Sequence, residues 1–374
     1  MKKVLILQLL GNSYGGIWQV NRLLGEELIK NNYEVRILNL RDNKTTFRAE
    51  HDKKMLIDTI NKVEDWDYPL KSDVIKFKIS IFDYFKRMKK VKTDYENMRQ
   101  YICKYNPDYI IVSHYLLLNA VPDEFLKKTI YQQHSSADYA LSQKGNRNTL
   151  FKFNNKVRFL WLSKASCDKA KKIGLNNCYY IYNAVRFESS KRADVIKNKK
   201  LVTVARLSYE KRIDLMIKMV NELFTDNESL NDWTLEIYGS GDLEEKLKEM
   251  NYDSDRIKFM GITNDPKNVL MKSSINLNTS LFEGFSLSIL EANECGIPTV
   301  AFDFGESAQE QILNNKTGFI VNDEIEYKEK LLSLMIDNEK LNEMSIECKK
   351  YNDTFKINKI INDWLDLFCN IDHK

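Results

Sequence analysis

The stretch INLNTSLFEGFSLSILEANECGIPTVAFD, Ile275–Asp303, holds a complete strand–loop–helix–strand unit. Ile275–Thr279 and Thr299–Phe302 are short apolar runs that read as buried strands, and Ser286–Cys295 between them reads as a helix. Working outward, the same alternation recurs. Further strands are expected at Leu201–Ala205, Thr234–Tyr238, Ile257–Met260 and Gly318–Val321, with helices at Ile213–Leu223, Leu243–Met250, Pro266–Lys272 and Glu324–Met335. Upstream, strands are expected at Lys3–Leu10, Glu34–Leu40, Tyr109–His114, Thr129–His134, Arg158–Leu162 and Cys178–Tyr182, with helices at Ile17–Asn31 and Lys164–Ile173. Continuous apolar strands alternating with helices indicate parallel sheets covered on both faces. Two such series make two doubly wound α/β domains.

The chain has 374 residues, enough for two cores of ordinary size. Its net charge of +4 hides an asymmetry: residues 1–187 carry +14 and residues 188–374 carry −10. Such a split points to two domains with different partners, one of them anionic. The six cysteines show no CxxC pair and no zinc-ligand spacing, so a reduced compartment fits better than a disulfide framework. No run reaches the ~18–20 apolar residues of a membrane span. The opening MKKVLILQLLGNSYGG reads as a first strand, because its apolar run is short and lacks a small-residue cleavage site. Arg186–Lys200, polar and almost without periodicity, is the expected linker.

In doubly wound sheets ligands bind beyond the carboxyl ends of the strands, so the loops that follow strands are where chemistry is expected. Four stand out. Gly11–Gly16, GNSYGG, lets backbone N–H groups approach a phosphate at a helix start, but it is not the dinucleotide fingerprint, and no acidic residue ends the second strand. Val204–Lys211, VARLSYEK, places Arg206 and Lys211 where a diphosphate can be clamped. Tyr238–Leu247, YGSGDLEEKL, reads as a glycine turn with Asp242 and Glu245 as a capping box. In the fourth, Glu283 lies in the loop and Glu291 eight positions on inside the helix, where a carboxylate must be paired. A ribose diol is one bidentate partner; a solvent-facing helix position is the competing reading. The turn Gly284–Phe285–Ser286 offers a helix N-terminus to an anion or a sugar oxygen.

The ordered set ARLSYEK, YGSGDLEEKL, FMG, EGFSLSILEANECGIPTVAFD and NKTGFIV resembles the retaining nucleotide-sugar glycosyltransferases of family 4, with Glu283 and Glu291 matching the E-x7-E motif. Phe302–Ile312, FDFGESAQEQI, is most similar to members that build bacterial surface polysaccharides or glycosylate cell-wall polymers. The resemblance implies the GT-B fold, two Rossmann-like doubly wound domains facing across a cleft. Residues 1–187 would bind the acceptor, residues 188–355 the donor, and residues 356–374 would form a helix crossing back to the first domain. It implies that Arg206 and Lys211 bind the donor diphosphate and that Glu291 binds the ribose. Glu283, with the backbone of Gly284, Phe285, Ser286 and Leu287, would contact the transferred sugar. Gly261 and Ile262, after Met260, would pack the base, Gly15 and Gly16 would approach the phosphate, and His134 would lie at the reaction centre.

The implied reaction moves a hexose or N-acetylhexosamine from a UDP-sugar to a surface-glycan or cell-wall precursor, with no metal and no cofactor. Neither DxD triplet, Asp65–Asp67 or Asp253–Asp255, follows a strand, and both read as chance. Residues 71–92 carry eight Lys/Arg against two Asp, with Val74, Phe77, Ile81, Phe85 and Met88 at helical spacing. That pattern suits an anionic membrane surface as well as an ordinary packed helix. The partners expected are a nucleotide-sugar donor and a glycan or lipid-linked acceptor, not nucleic acid. The expected location is the cytoplasm, at the inner face of the membrane. The competing readings are a silent GT-B partner subunit, which would lose motif residues, and a same-fold epimerase or phosphorylase.

Overall fold

The structure, a computed structural model, describes residues 1–11, 15–41, 52–61, 80–250, 252, 253 and 255–373. Residues 12–14 of the first glycine loop, Asp65–Asp67, residues 71–79 and Ser254 of the second acidic triplet lie outside the described residues.

The chain divides into two compact units. The first comprises Met1–His134, Ala140–Ile181 and Ile361–Lys374; the second comprises Ser135–Tyr139 and Tyr182–Ile360. The first holds a seven-stranded parallel sheet, β1 (Lys3–Leu10), β2 (Glu34–Arg41), β3 (Leu56–Asn61), β4 (Tyr109–Val112), β5 (Thr129–Gln133), β6 (Arg158–Trp161) and β7 (Cys178–Tyr180), in the order β3-β2-β1-β4-β5-β6-β7. Its helices include α1 (Gly16–Lys30), α2 (Ile81–Tyr105), α3 (Ala137–Ser142), which begins in residues grouped with the second unit, α4 (Lys144–Lys152) and α5 (Lys164–Lys172).

The second unit holds a six-stranded parallel sheet, β8 (Lys200–Val204), β9 (Thr234–Tyr238), β10 (Ile257–Gly261), β11 (Ile275–Asn278), β12 (Thr299–Phe302) and β13 (Gly318–Val321), in the order β10-β9-β8-β11-β12-β13. Its helices are α6 (Val195–Asn198), α7 (Ile213–Asp226), α8 (Glu244–Lys248), α9 (Pro266–Met271), α10 (Leu287–Glu294), α11 (Ala308–Gln311), α12 (Glu324–Ile336) and α13 (Asn338–Tyr351). The last helix, α14 (Ile357–Asp372), starts in the second unit and ends in the first. In the first unit its Phe368 stacks on Tyr109 with ring centroids 4.2 Å apart, and Tyr109 donates its hydroxyl to Asp372 at 2.7 Å.

Burial explains the strands. Val4–Leu7, Ile110–Val112 and Leu201–Val202 are sealed on both faces, which is why they read as unbroken apolar runs. In each sheet the strand order reverses once, between β1 and β4 and between β8 and β11. A reversal opens a crevice at the carboxyl ends of the two strands, the usual ligand position in such sheets.

Two expectations are corrected. Helix α8 begins at Glu244 with Leu243 as its N-cap and no side-chain cap, so Asp242 and Glu245 do not form a capping box. The glycines before it have another cause. A Cβ on Gly239 would lie 1.8 Å from the Ala205 carbonyl oxygen, and one on Gly241 2.3 Å from that of Leu207. Backbone presses on backbone there. Arg186–Lys200 is not a free tether either: Ala193 donates its N–H to the Cys295 carbonyl at 2.8 Å, and Val195 is buried.

Candidate active site

The loops after β8 and β11 flank the reversal point of the second sheet and are bonded to each other. Leu281 donates its N–H to the Glu210 carbonyl at 2.8 Å, and Thr279 donates its hydroxyl to the Lys211 carbonyl at 2.7 Å. Lys211 forms an ion pair with Glu283, and Ser280 donates its hydroxyl to the same Glu283 oxygen at 2.8 Å. Both charged side chains are largely shielded. Arg206 is exposed and pairs with no carboxylate among the described residues. Glu210, on the same loop, feels the charge of both Arg206 and Lys211, so Arg206 is the exposed, directly accessible cation of an otherwise balanced cluster.

Of the expected donor-binding residues, those from Gly261 to Glu291 lie in the same unit as this crevice. Gly284, Phe285 and Ser286 lead into α10, whose first N–H groups have no intrahelical acceptor. Phe285 is buried and stacks on Tyr182 at 5.1 Å. The Ser286 backbone is already engaged: Gln311 accepts from its N–H at 2.9 Å and donates to its carbonyl at 2.8 Å. Any sugar contact from this turn falls to its neighbours, Leu287 onward. Gly261 closes β10 at a φ of 70°, in the left-handed region, and accepts from the Gly239 N–H at 2.8 Å. Met260 and Ile262 beside it are about half exposed.

Glu291 is not solvent-facing. Its side chain is 1% exposed and is held by Arg186, whose Nε and Nη2 donate to the two carboxylate oxygens, the second at 2.8 Å. Burial alone would pull the Arg186 guanidinium down; the carboxylate outweighs that and raises it. One turn on, Glu294 is equally buried and accepts from the Ser189 N–H at 2.8 Å, Asn352 Nδ2 at 2.8 Å and Lys349 Nζ. Neither Arg186, Lys349 nor Gln311 was legible as part of this region from sequence. The sole hint was the rule that a buried carboxylate must be paired.

Gly15, Gly16 and His134 belong to the first unit. Gly15 caps α1 with an extended backbone, and Gly16 is the first helical residue. His134 follows β5 with its Nε2 buried and unbonded among the described residues. Burial, with a smaller contribution from His114, pushes its pKa down to about 3; burial pushes His114 down to about 4. Both rings are neutral at pH 7. Their reversal point carries a buried amide network: Asn21 donates to Gln8 at 2.7 Å and to Ser113 at 2.9 Å, and Gln8 donates to Asn39 at 2.8 Å. No cluster of three potential metal ligands occurs among the described residues, and none of the helices described there is long and apolar enough to cross a membrane.

Residues 186–351, which contain this crevice, match the family described as glycosyl transferases group 1. The chain is 28% identical over 386 residues to an uncharacterized glycosyltransferase of Haemophilus influenzae, covering 97% of this chain and 99% of that one. It is 27% identical over 208 residues to the poly(ribitol-phosphate) alpha-N-acetylglucosaminyltransferase of Staphylococcus aureus, covering 54% of this chain and 41% of that one. The structure of a mutant S. aureus TarM, solved with fondaparinux, alpha-GlcNAc-glycerol and UDP, superposes with a TM-score of 0.78 at 16% identity, over 98% of this chain and 100% of that one. The fold is GT-B, built from two Rossmann-like units. Its second unit carries the match to the group 1 glycosyl transferases.

Proposed function

We propose that the chain is a retaining transferase that moves a hexose or N-acetylhexosamine from a UDP-sugar to a hydroxyl of a surface-glycan or cell-wall precursor, without a metal ion. The observation that carries this reading is the convergence of Arg206, Lys211 and Glu283 at the reversal point between β8 and β11. UDP is favoured because it is the nucleotide bound in the TarM structure, and a polymer acceptor because of the S. aureus relative.

In this mechanism the bond from the anomeric carbon to the diphosphate oxygen breaks as the acceptor oxygen bonds to that carbon from the same face. The acceptor proton passes to the leaving phosphate oxygen, so no protein base is required. Negative charge grows on the diphosphate, and Arg206, Lys211 and the start of α10 stabilise it. Glu283, relieved of part of its hold on Lys211, accepts hydrogen bonds from sugar hydroxyls. His134, neutral at working pH, donates or accepts a hydrogen bond without adding charge. Arg206, Lys211, Glu283 and Glu291 are all retained, which argues against a silent subunit.

The acceptor side is assigned to the first unit at an anionic membrane surface. Helix α2 exposes Phe82 and Phe85 beside the exposed Lys86 and Lys89, the mixture an anionic lipid surface binds. The expected apolar face fits in part: Phe85 is exposed, whereas Met88 is half-buried.

The test is thermal stability with UDP-, GDP- and ADP-sugars in the absence of metal, followed by NMR of the product anomer. A donor at ~100 times its Kd stabilises by about 2.7 kcal/mol. One donor should stabilise the wild type and not Lys211→Met, and the product should keep the donor's anomeric configuration. Stabilisation by none of the donors, or an inverted product, refutes the reading.

A further inference from the structure

The Arg186–Glu291 pair has a competitive geometry. A vicinal ribose diol binds a carboxylate by donating one O–H to each oxygen, and Arg186 already donates one N–H to each. Glu291 is 1% exposed while the Arg186 side chain is 20% exposed, so the guanidinium is the outer partner and the carboxylate the covered one. The backbone is held on either side of Arg186. Val185 donates its N–H to the Phe355 carbonyl at 2.9 Å, and Ser189 donates its N–H to Glu294 Oε1 at 2.8 Å. Uncovering Glu291 thus requires rotation of one side chain, not a shift of the segment.

We propose that Arg186 is a competitive latch on the nucleoside subsite: the ribose reaches Glu291 by displacing the guanidinium, and Arg186 thereby sets donor affinity. This rests on the reading of Glu291 as the ribose-binding residue. An interaction made only in the ligand-free state weakens binding by the fraction of molecules it holds closed. Arg186 is a positioning residue in this scheme, acting through Glu291.

The experiment is calorimetric titration of UDP and of uridine into the full chain as wild type, Arg186→Met, Arg186→Lys and Glu291→Gln. Arg186→Met should bind UDP about tenfold more tightly than wild type, gain a similar factor for uridine, and melt at a lower temperature without ligand. A purely structural arginine would not tighten binding. Weaker or unchanged UDP binding by Arg186→Met overturns the latch and makes Arg186 a fixed support for Glu291. If Arg186→Met does not fold, Arg186→Lys decides by the same sign, since an ammonium cannot bridge both oxygens. Unchanged UDP binding by Glu291→Gln, with binding lost in Lys211→Met, overturns the latch and leaves the transferase reading standing. No UDP binding by the wild type overturns both.

Discussion

Replacing Gly239 with alanine tests whether the crevice is held by contact of backbone on backbone. Gly239 has a φ of 140°, and its added Cβ would meet the Ala205 carbonyl oxygen at 1.8 Å and the Ala205 carbonyl carbon at 2.9 Å. The two chains must separate by about 1 Å, which strains the Ala205 N–H bond to the Tyr238 carbonyl at 2.9 Å and the Gly239 N–H bond to the Gly261 carbonyl at 2.8 Å. The backbone conformation contributes ~1–2 kcal/mol of strain, and two weakened hydrogen bonds contribute ~1 kcal/mol each. The expected loss is about 3–4 kcal/mol, or roughly 10 °C in melting temperature for a unit of this size. Gly174→Ala is the control: its φ is 95° but nothing lies within 4 Å of the added Cβ, so only the conformational cost remains, about 3 °C. Arg206 directly follows Ala205, and a displacement of about 1 Å in a positioning group weakens UDP binding at least tenfold. Scanning calorimetry and calorimetric titration measure both effects. Equal melting shifts for the two variants would refute the contact argument.

Four further outcomes follow. Lys349→Met leaves Glu294 buried with Asn352 and the Ser189 N–H but without a counter-charge, and should cost about 3 kcal/mol in urea unfolding; a loss below ~1 kcal/mol contradicts it. Arg206→Ala should leave stability within ~0.5 kcal/mol while UDP affinity falls at least tenfold; a large melting shift would show that the arginine is structural. His134 and His114, with folded pKa values depressed to about 3 and about 4, are neutral when folded and charge when the chain unfolds below ~6.5. Their stability contribution is complete above ~6.5 and is lost as pH falls toward the folded values, on the order of 2 kcal/mol per ring at pH 5. Urea midpoints at pH 7.5 and 5.0 check this, with His134→Asn removing about half of the difference and equal wild-type midpoints contradicting it. Phe82→Ser with Phe85→Ser should reduce cosedimentation with anionic vesicles severalfold; unchanged binding, or none by the wild type, removes the membrane assignment.

The sheets were readable because parallel strands buried on both faces cannot alternate. The strand the pattern missed, β3, is LIDTIN, an edge strand whose Leu56 is half exposed and whose Asp58, Thr59 and Asn61 break any continuous apolar run. Helix α13 was missed because its buried face, Leu341, Met344, Ser345 and Cys348, is narrow and partly polar. Arg206, Lys211, Glu283 and Glu291 each drew notice from their place after a strand or inside the helix that follows one, but it was the resemblance that joined them into a set. Their pairing was not legible. Glu291 announces that it needs a cation, but the one that answers lies 105 positions away among 57 lysines and arginines. The GSG turn misled because glycine before an acidic stretch reads as a helix cap, while the operative constraint is a neighbouring backbone that sequence does not display.

The loops after β8 and β11 share a backbone hydrogen bond, a threonine bridge and the Lys211–Glu283 pair. They are therefore one unit of inheritance for anyone recombining this fold. A chimera that imports only the β11 loop from another protein of this fold brings a carboxylate and a threonine that are not matched to the β8 loop they must bond. Grafting the crevice requires both loops, with Thr279 and Glu210–Arg212 carried across together.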